Sequence, residues 1–325
     1  MSQKNRLPGT LYIVVPCYNE EAVLPESIKQ LGSKLSRLIE TGLASENSKV
    51  LFIDDGSTDK TWTLIEEAHN SSKQISGIKL SRNKGHQNAL LAGLLAAMST
   101  ADVTISIDAD LQDDIECMDE FLQQYHNGCD IVYGVRSNRK KDSAFKRGTA
   151  QFFYKFMQWL GVNIVYNHAD YRLMSKRALE GLSSFKEVNM FLRGIVPLIG
   201  YKTGTVTYTR GERFAGESKY PLKKMLAFAW DGITSFSVRP IRFVAIFGFI
   251  AFLVSIGLMI KFLIDYILGY TVSGWSTLAI SIWLFGGLQL LALGMIGEYI
   301  GKIYSEVKAR PKYIVEQVLD DGIKL

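Results

Sequence analysis

The sequence has little sulfur and little net charge. Its three cysteines, Cys17, Cys117 and Cys129, are odd in number and lack C-x-x-C spacing. That excludes a disulfide framework and a cysteine zinc site, and free thiols fit a reducing compartment. Against 32 Asp and Glu stand 37 Lys and Arg, a formal charge of only +5, too small for a bulk nucleic-acid binder. His69, His86 and His126 show no ligand spacing and are expected to be structural or solvated. No G-x-x-x-x-G-K-[ST] and no G-x-G-x-x-G occurs, so the P-loop and the usual dinucleotide fingerprint are absent. The start, "MSQKNRLPGTLYIVVP", has too short an apolar run for a signal peptide and no small-residue cleavage site. The N-terminal part is therefore expected to stay in the cytosol.

What is present is an alternation of strand-like and helix-like runs. "LYIVVP" (11–16) precedes a helix from Glu21 to Ile39, and "VLFIDD" (50–55) precedes "KTWTLIEEAH". "GIKLS" (77–81) precedes "HQNALLAGLLAAM", and "VTISID" (103–108) precedes "IECMDEFLQQYH", with "DIVYGVR" (130–136) following. Short continuous apolar strands separated by helices predict a parallel sheet covered on both faces. Ligands of such sheets bind beyond the carboxyl ends of the strands. There the chain places "PCYNEE", "DDGSTDKT", "SRNKGH" and "DADLQDD". One Asp-Asp-Gly is an ordinary turn, but four such ends on neighbouring strands make an acidic, hydrogen-bonding rim. Asp108, Asp110, Asp113 and Asp114 crowd into seven residues and raise one another's pKa, so they require a compensating cation.

The apolar residues are unevenly spread. Residues 243–264 are apolar apart from Lys261, and 275–297 carry no charge. As helices each spans roughly 33–35 Å, enough for a hydrocarbon core of about 30 Å. Basic residues flank the pair (Lys219, Lys223, Lys224, Arg239 and Arg242 before; Lys302, Lys308, Arg310 and Lys312 after), while 266–274 contain no Lys or Arg. The positive-inside rule then puts both termini and the N-terminal part on the cytoplasmic side of a multi-pass membrane protein. Gly287, Gly294, Gly297 and Gly301 form a small-residue stripe compatible with close helix approach within one protomer or between protomers of a homo-oligomer. Residues 221–240, and 145–161 with their interleaved aromatics and lysines, read as interfacial helices. The expected layout is a cytosolic α/β domain (1–220), an amphipathic helix (221–240), two transmembrane helices (241–301) and a cytosolic tail (302–325).

In order and spacing, "IVVPCYNEE", "FIDDGSTDKT", "LSRNKGHQNALLAGL" and "ISIDADLQD" resemble the family-2 glycosyltransferases of GT-A fold. With "ADYRLMSKRAL", "RGERFAGESKYPL" and two C-terminal spans, the chain resembles the polyprenyl-phosphate glycosyltransferases, related to dolichyl-phosphate mannose synthase and bactoprenol glucosyltransferase. The resemblance covers nearly the whole chain. It implies a Rossmann-like, mostly parallel sheet and transfer of a hexose (glucose or N-acetylglucosamine) from a UDP-sugar to undecaprenyl phosphate, supplying a lipid-linked sugar for cell-envelope glycans.

The same resemblance implies the site. Pro16, Tyr18 and Glu20 line the nucleotide pocket, Asp55 meets base or ribose, and Lys84, Ala109 and Gln112 lie with them. Asp108-Ala109-Asp110 matches the D-x-D motif: Asp110 holds Mg²⁺ or Mn²⁺ against the donor diphosphate, and Asp108 meets metal or ribose. Such hard cations favour few carboxylates plus phosphate oxygens. Asp113 and Asp114 are expected to cap the next helix. Asp170 matches the catalytic-base position, with Arg172 as the group it orients; His168-Ala169 replace the family's usual Thr-Gly. Arg136, Arg139 and Lys140 are placed to receive the acceptor phosphate, and Arg210, Arg213, Ser218 and Lys219 match a loop closing on the diphosphate. The alternatives are a processive polysaccharide synthase, against which stands the lack of any tryptophan after an arginine, and a non-enzymatic membrane adaptor. No polar residues at mid-span suggest a transport path.

Overall fold

The structure, a computed structural model, describes residues 8–136, 168–188, 191–209, 211, 239–269, 274–320 and 322–323. The chain forms two compact units. One holds the sheet and its helices, the segment from Pro311 onward included; the other holds two long helices.

The strands are β1 (Leu11–Cys17), β2 (Lys49–Asp54), β3 (Ile75–Leu80), β4 (Val103–Ser106), β5 (Ile131–Arg136), β6 (His168–Ser175), β7 (Thr203–Tyr208) and β8 (Val315–Val318). They lie in the order β7-β5-β6-β4-β1-β2-β3-β8. β1, β2, β3 and β4 pair in parallel, as do β5 and β7, whereas β6 and β8 run antiparallel to their neighbours. This is the mostly parallel sheet expected of a GT-A domain. Every residue of β1 is buried, as a strand covered on both faces requires.

The helices of this unit are α1 (Leu24–Glu40), α2 (Thr61–Ser71), α3 (His86–Ala97), α4 (Met118–His126), α5 (Lys176–Ser183) and α6 (Leu192–Ile195). On α1, Leu24, Leu31, Leu35 and Leu38 recur at helical spacing and are fully buried. Buried Lys34 on the same face pairs with Glu116 at 2.7 Å and Asp119 at 2.9 Å, fastening α1 to the α4 region. α3 is buried nearly all round. It lies close on the sheet because Gly93 faces Val14 and Ile53, where a Cβ would come within 2.5 Å of the valine. The sequence expectation for all four βα units is met to within a few residues at each helix end.

Two features were not expected. β6, carrying "HADYRLMS", inserts between β4 and β5, setting Arg172 opposite Ser106. Residues 302–325 were expected as a tail, yet the structure continues the second long helix to Lys308 and then adds β8 to the free edge of β3. There Ile78 pairs with Val318, and Leu319 donates its N–H to the carbonyl of Gly77. Beyond β8, Asp320 is 3% exposed and accepts from Lys49 at 2.8 Å and from the Ser76 hydroxyl at 2.9 Å. Covering an edge this way removes a row of unpaired backbone groups.

The second unit's helices are α7 (Arg239–Ile267) and α8 (Trp275–Lys308). Ile241–Leu258 and Leu284–Lys308 are long and apolar enough to cross a membrane, and none of either window is buried within the protein. Phe247, Phe249, Leu290 and Leu291 stand exposed. Apolar faces of this extent, unburied by protein, are what a lipid solvent requires. The proposed interfacial segments 145–161 and 221–240 lie outside the described residues, the last two positions of the second excepted, which open α7.

Burial works against the charge of Asp320, but Lys49, the N–H of Gly322 and Ser76 outweigh it and lower its pKa. Asp320→Ala should therefore destabilise the sheet unit by about 1–3 kcal/mol at neutral pH. Because the folded pKa is depressed, that contribution exists above the unfolded value of about 3.9 and disappears as pH falls through the folded one. Thermal melts of the two proteins should separate at pH 7 and converge in acid; equal melting at pH 7 would refute the anchoring.

Candidate active site

The site forms where β1, β2, β3 and β4 end and the antiparallel β6 begins. The first two loops lock together. Asn19, in the left-handed region at φ 53°, accepts from the Thr58 N–H at 2.9 Å through its side chain. Its own N–H donates to the Ser57 hydroxyl at 2.9 Å. Asn tolerates that conformation better than most residues. Pro16 is buried at the end of β1, Tyr18 is 45% exposed beyond it, and the Glu20 N–H donates to Thr61 Oγ1 at 2.9 Å.

Asp55 holds the third loop. Its two oxygens accept from the backbone N–H groups of Lys84 (2.7 Å) and Gly85 (2.8 Å). The carboxyl is buried, so these bonds replace lost water. Gly56 follows at φ 67°, and a Cβ there would approach the Arg82 backbone to 2.6 Å. Only glycine lets the second and third loops meet so closely.

In the D-x-D segment, the Ala109 carbonyl accepts from Ser27 Oγ at 2.6 Å, which seats the turn on α1. Leu111 takes φ 53°, a conformation costing a non-glycine residue about 1–2 kcal/mol. Asp110 Oδ1 accepts from the Gln112 N–H at 3.2 Å, and the Gln112 carbonyl accepts from the Gly211 N–H at 2.8 Å. Asp114 caps the next turn as expected, accepting from the Glu116 N–H. Asp113 does not. It is buried, and its Oδ1 accepts from the Tyr208 hydroxyl at 2.6 Å and from Arg136 Nη2 at 3.3 Å. Arg136 also donates to Tyr208 through Nε at 3.2 Å. Tyrosine and arginine drew the carboxylate inward, away from the helix start.

Asp170 is heavily bonded. It accepts from Arg172, from Arg193 through Nε (3.3 Å) and Nη2 (3.0 Å), and from Gln87 at 3.4 Å. Its backbone carbonyl accepts from the Ser106 hydroxyl. Burial alone would raise its pKa; His86, Arg193 and Arg172 together hold it well below the usual carboxylate range. Arg172 is fully buried behind it.

His86, expected to be structural or solvated, instead faces the site. Its Nε2 lies 3.6 Å from both Asp108 and Asp170. Burial opposes its protonation, but those two carboxylates prevail and raise its pKa. Arg193 was not anticipated at all. His86 was legible in principle, since it closes "SRNKGH" at a strand's carboxyl end. Arg193 lies in no motif and reaches the site only through tertiary packing. His69 and His126 are structural, bonded to the carbonyls of Ile75 and Leu43.

Asp108 is pushed up by burial and, against the pull of His86, by Asp170, Asp113 and Asp110. Among the described residues no three His, Cys, Asp or Glu side chains converge as a metal site. Mg²⁺ or Mn²⁺ sharing coordination with substrate phosphate oxygens needs only a few hard carboxylates, and Asp108 and Asp110 are of that chemical kind. Arg139, Lys140, Arg210, Arg213, Ser218 and Lys219 lie outside the described residues.

The model of the glycosyl transferase family 2 matches residues 12–183, the sheet from β1 through α5. The uncharacterized glycosyltransferase YkoT of Bacillus subtilis is 56% identical over 306 residues, covering 94% of this chain and 91% of the relative. The bactoprenol glucosyl transferase of Shigella phage SfII is 38% identical over 310 residues, covering 94% and 97%. A solved mannosyltransferase of Pyrobaculum calidifontis, in complex with GDP-Man and Mn²⁺, aligns at a TM-score of 0.45 and 14% identity, covering 92% and 89%. The chain is an enzyme of glycosyl transferase family 2.

Proposed function

We propose that this glycosyltransferase moves a hexose from a UDP-sugar to a polyprenyl phosphate at the cytoplasmic face of the cell membrane, with inversion at the sugar carbon. One observation carries the reading. The match to bactoprenol glucosyl transferases extends over 94% of the chain, membrane-length helices included, so catalytic and lipid-facing parts go together.

In this reading Pro16, Tyr18, Glu20, Asp55, Lys84, Ala109 and Gln112 frame the nucleotide, and Asp108 and Asp110 would hold Mg²⁺ or Mn²⁺. When bound, the metal offsets the negative charge of the diphosphate and of the departing nucleotide. The acceptor phosphate oxygen attacks the sugar's anomeric carbon as the bond to UDP breaks. A phosphate monoester has a second pKa near 6, so at neutral pH it is largely a dianion with no proton to remove. That suits Asp170, which is too acidic in these surroundings to serve as a strong base. Its work is to hold Arg172, Arg193 and His86 in place. The lipid-linked product would then serve cell-envelope glycan modification.

Purified enzyme with undecaprenyl phosphate should release UDP from UDP-glucose or UDP-N-acetylglucosamine and stop in chelator. Absence of lipid-dependent release across a panel of nucleotide sugars would sink the proposal. Asp110→Asn should lower turnover at least about a hundredfold while the protein stays folded. Asp170→Asn should cost less turnover but about 3 kcal/mol of stability, because it strands a buried guanidinium. The reverse ranking in melting temperature would contradict that division. For topology, Ser273→Cys should react with an impermeant thiol reagent in intact cells, and the wild-type protein should not. Labelling of the wild type instead would place the catalytic unit outside.

A further inference from the structure

We propose that Arg193 is the residue that receives the acceptor's phosphate, with Asp170 as the group that aims it. The proposal rests on the polyprenyl-phosphate reading above and adds a residue to it.

The backbone beside Arg193 is gripped from two sides. The Leu192 N–H donates to Gln87 Oε1 at 3.2 Å, and the Leu192 carbonyl accepts from Arg172 Nη1 at 3.4 Å. The guanidinium itself donates through Nε and Nη2 to Asp170, at 3.3 and 3.0 Å. A guanidinium is a rigid plane with five N–H donors. Bonding one edge to Asp170 therefore fixes the direction of the other. Nη1 on that second edge has no partner among the described residues, and the side chain is 37% exposed.

Access points the same way. Asp170 is shared between two guanidiniums, and Asp108 acts on Arg193 through space without bonding it. Arg172 is 1% exposed and out of reach of any ligand, which leaves Arg193 as the accessible one. A pre-aimed, accessible fork matches the tetrahedral oxygens of a phosphate, through short charge-assisted hydrogen bonds.

Two phosphates enter this site, the donor's diphosphate and the acceptor's monoester. The donor's belongs with the D-x-D carboxylates. Arg193 stands three contacts away from them: Asp108 meets His86, His86 meets Asp170, and Asp170 meets Arg193. That is a neighbouring position, suited to the second anion.

The test uses the full-length enzyme in detergent with its UDP-sugar, Mn²⁺ and undecaprenyl phosphate. Arg193→Gln should raise the KM for the lipid phosphate about tenfold to a hundredfold, as loss of a charged hydrogen bond does. The KM for UDP-sugar, and the affinity for UDP measured by calorimetry, should stay within about twofold. Arg193→Lys keeps the charge without the fork and should fall between, with melting like wild type; it carries the test alone if the glutamine variant is unfolded. An equal rise in donor KM would assign Arg193 to the diphosphate instead. A fall in kcat with unchanged acceptor KM would reduce it to a structural partner of Asp170. Either result overturns the proposal. If wild type uses no polyprenyl phosphate, the acceptor reading itself has failed; if it does and Arg193→Gln keeps the wild-type acceptor KM, only the present assignment has.

Discussion

A carboxylate buried at the end of a strand needs a cation, or it gives up its charge. The arrangement around this site follows from that need. Asp170 is met by Arg172 on its own strand and by Arg193 from α6. Asp113 is met by Arg136 at the end of β5 and by the Tyr208 hydroxyl on β7. Asp108 has His86 at the start of α3. Apart from the Asp170–Arg172 pair, each pairing joins different elements of the fold, so charge neutralisation also fixes the geometry of the mouth. Lys34 does the same on the rear face, joining α1 to Glu116 and Asp119.

The surroundings of the two outer carboxylates differ in kind. Asp170 is saturated with donors and held ionised, whereas Asp108 is crowded by its own sign and pushed toward protonation. A divalent cation would relieve the second condition and add nothing to the first. The proposed division between metal holder and organiser matches this contrast between neighbouring groups. It explains how acidic residues so close together avoid doing the same work.

Local sequence made some of this legible and not the rest. β1 to β4 and their helices could be read because each is a short apolar run followed by a periodic one, and because Gly, Asp and Asn mark the turns. The D-x-D segment and Asp170 were likewise visible as motifs. β6 was seen as a motif and not as a strand, because nothing local says that it slips between β4 and β5. Asp113 looked like a cap, since its partner Tyr208 lies 95 residues onward. Arg193 was invisible for the same reason: its meaning comes from Asp170, Gln87 and Arg172, none of which is its neighbour in sequence.

The edge strand β8 sets an order on the making of the protein. Residues 315–318 complete the sheet that begins at residue 11, yet they follow both membrane-length helices. A ribosome delivers them after both helices. Until they emerge, β3 is an open edge, and Lys49, Ser76 and Tyr12 lack the carboxylate of Asp320. The domain must wait in that state while the two helices ahead of β8 are made. Closure of the sheet thus follows the making of both long helices, and a chain truncated after the second of them leaves the ribosome with an unpaired strand.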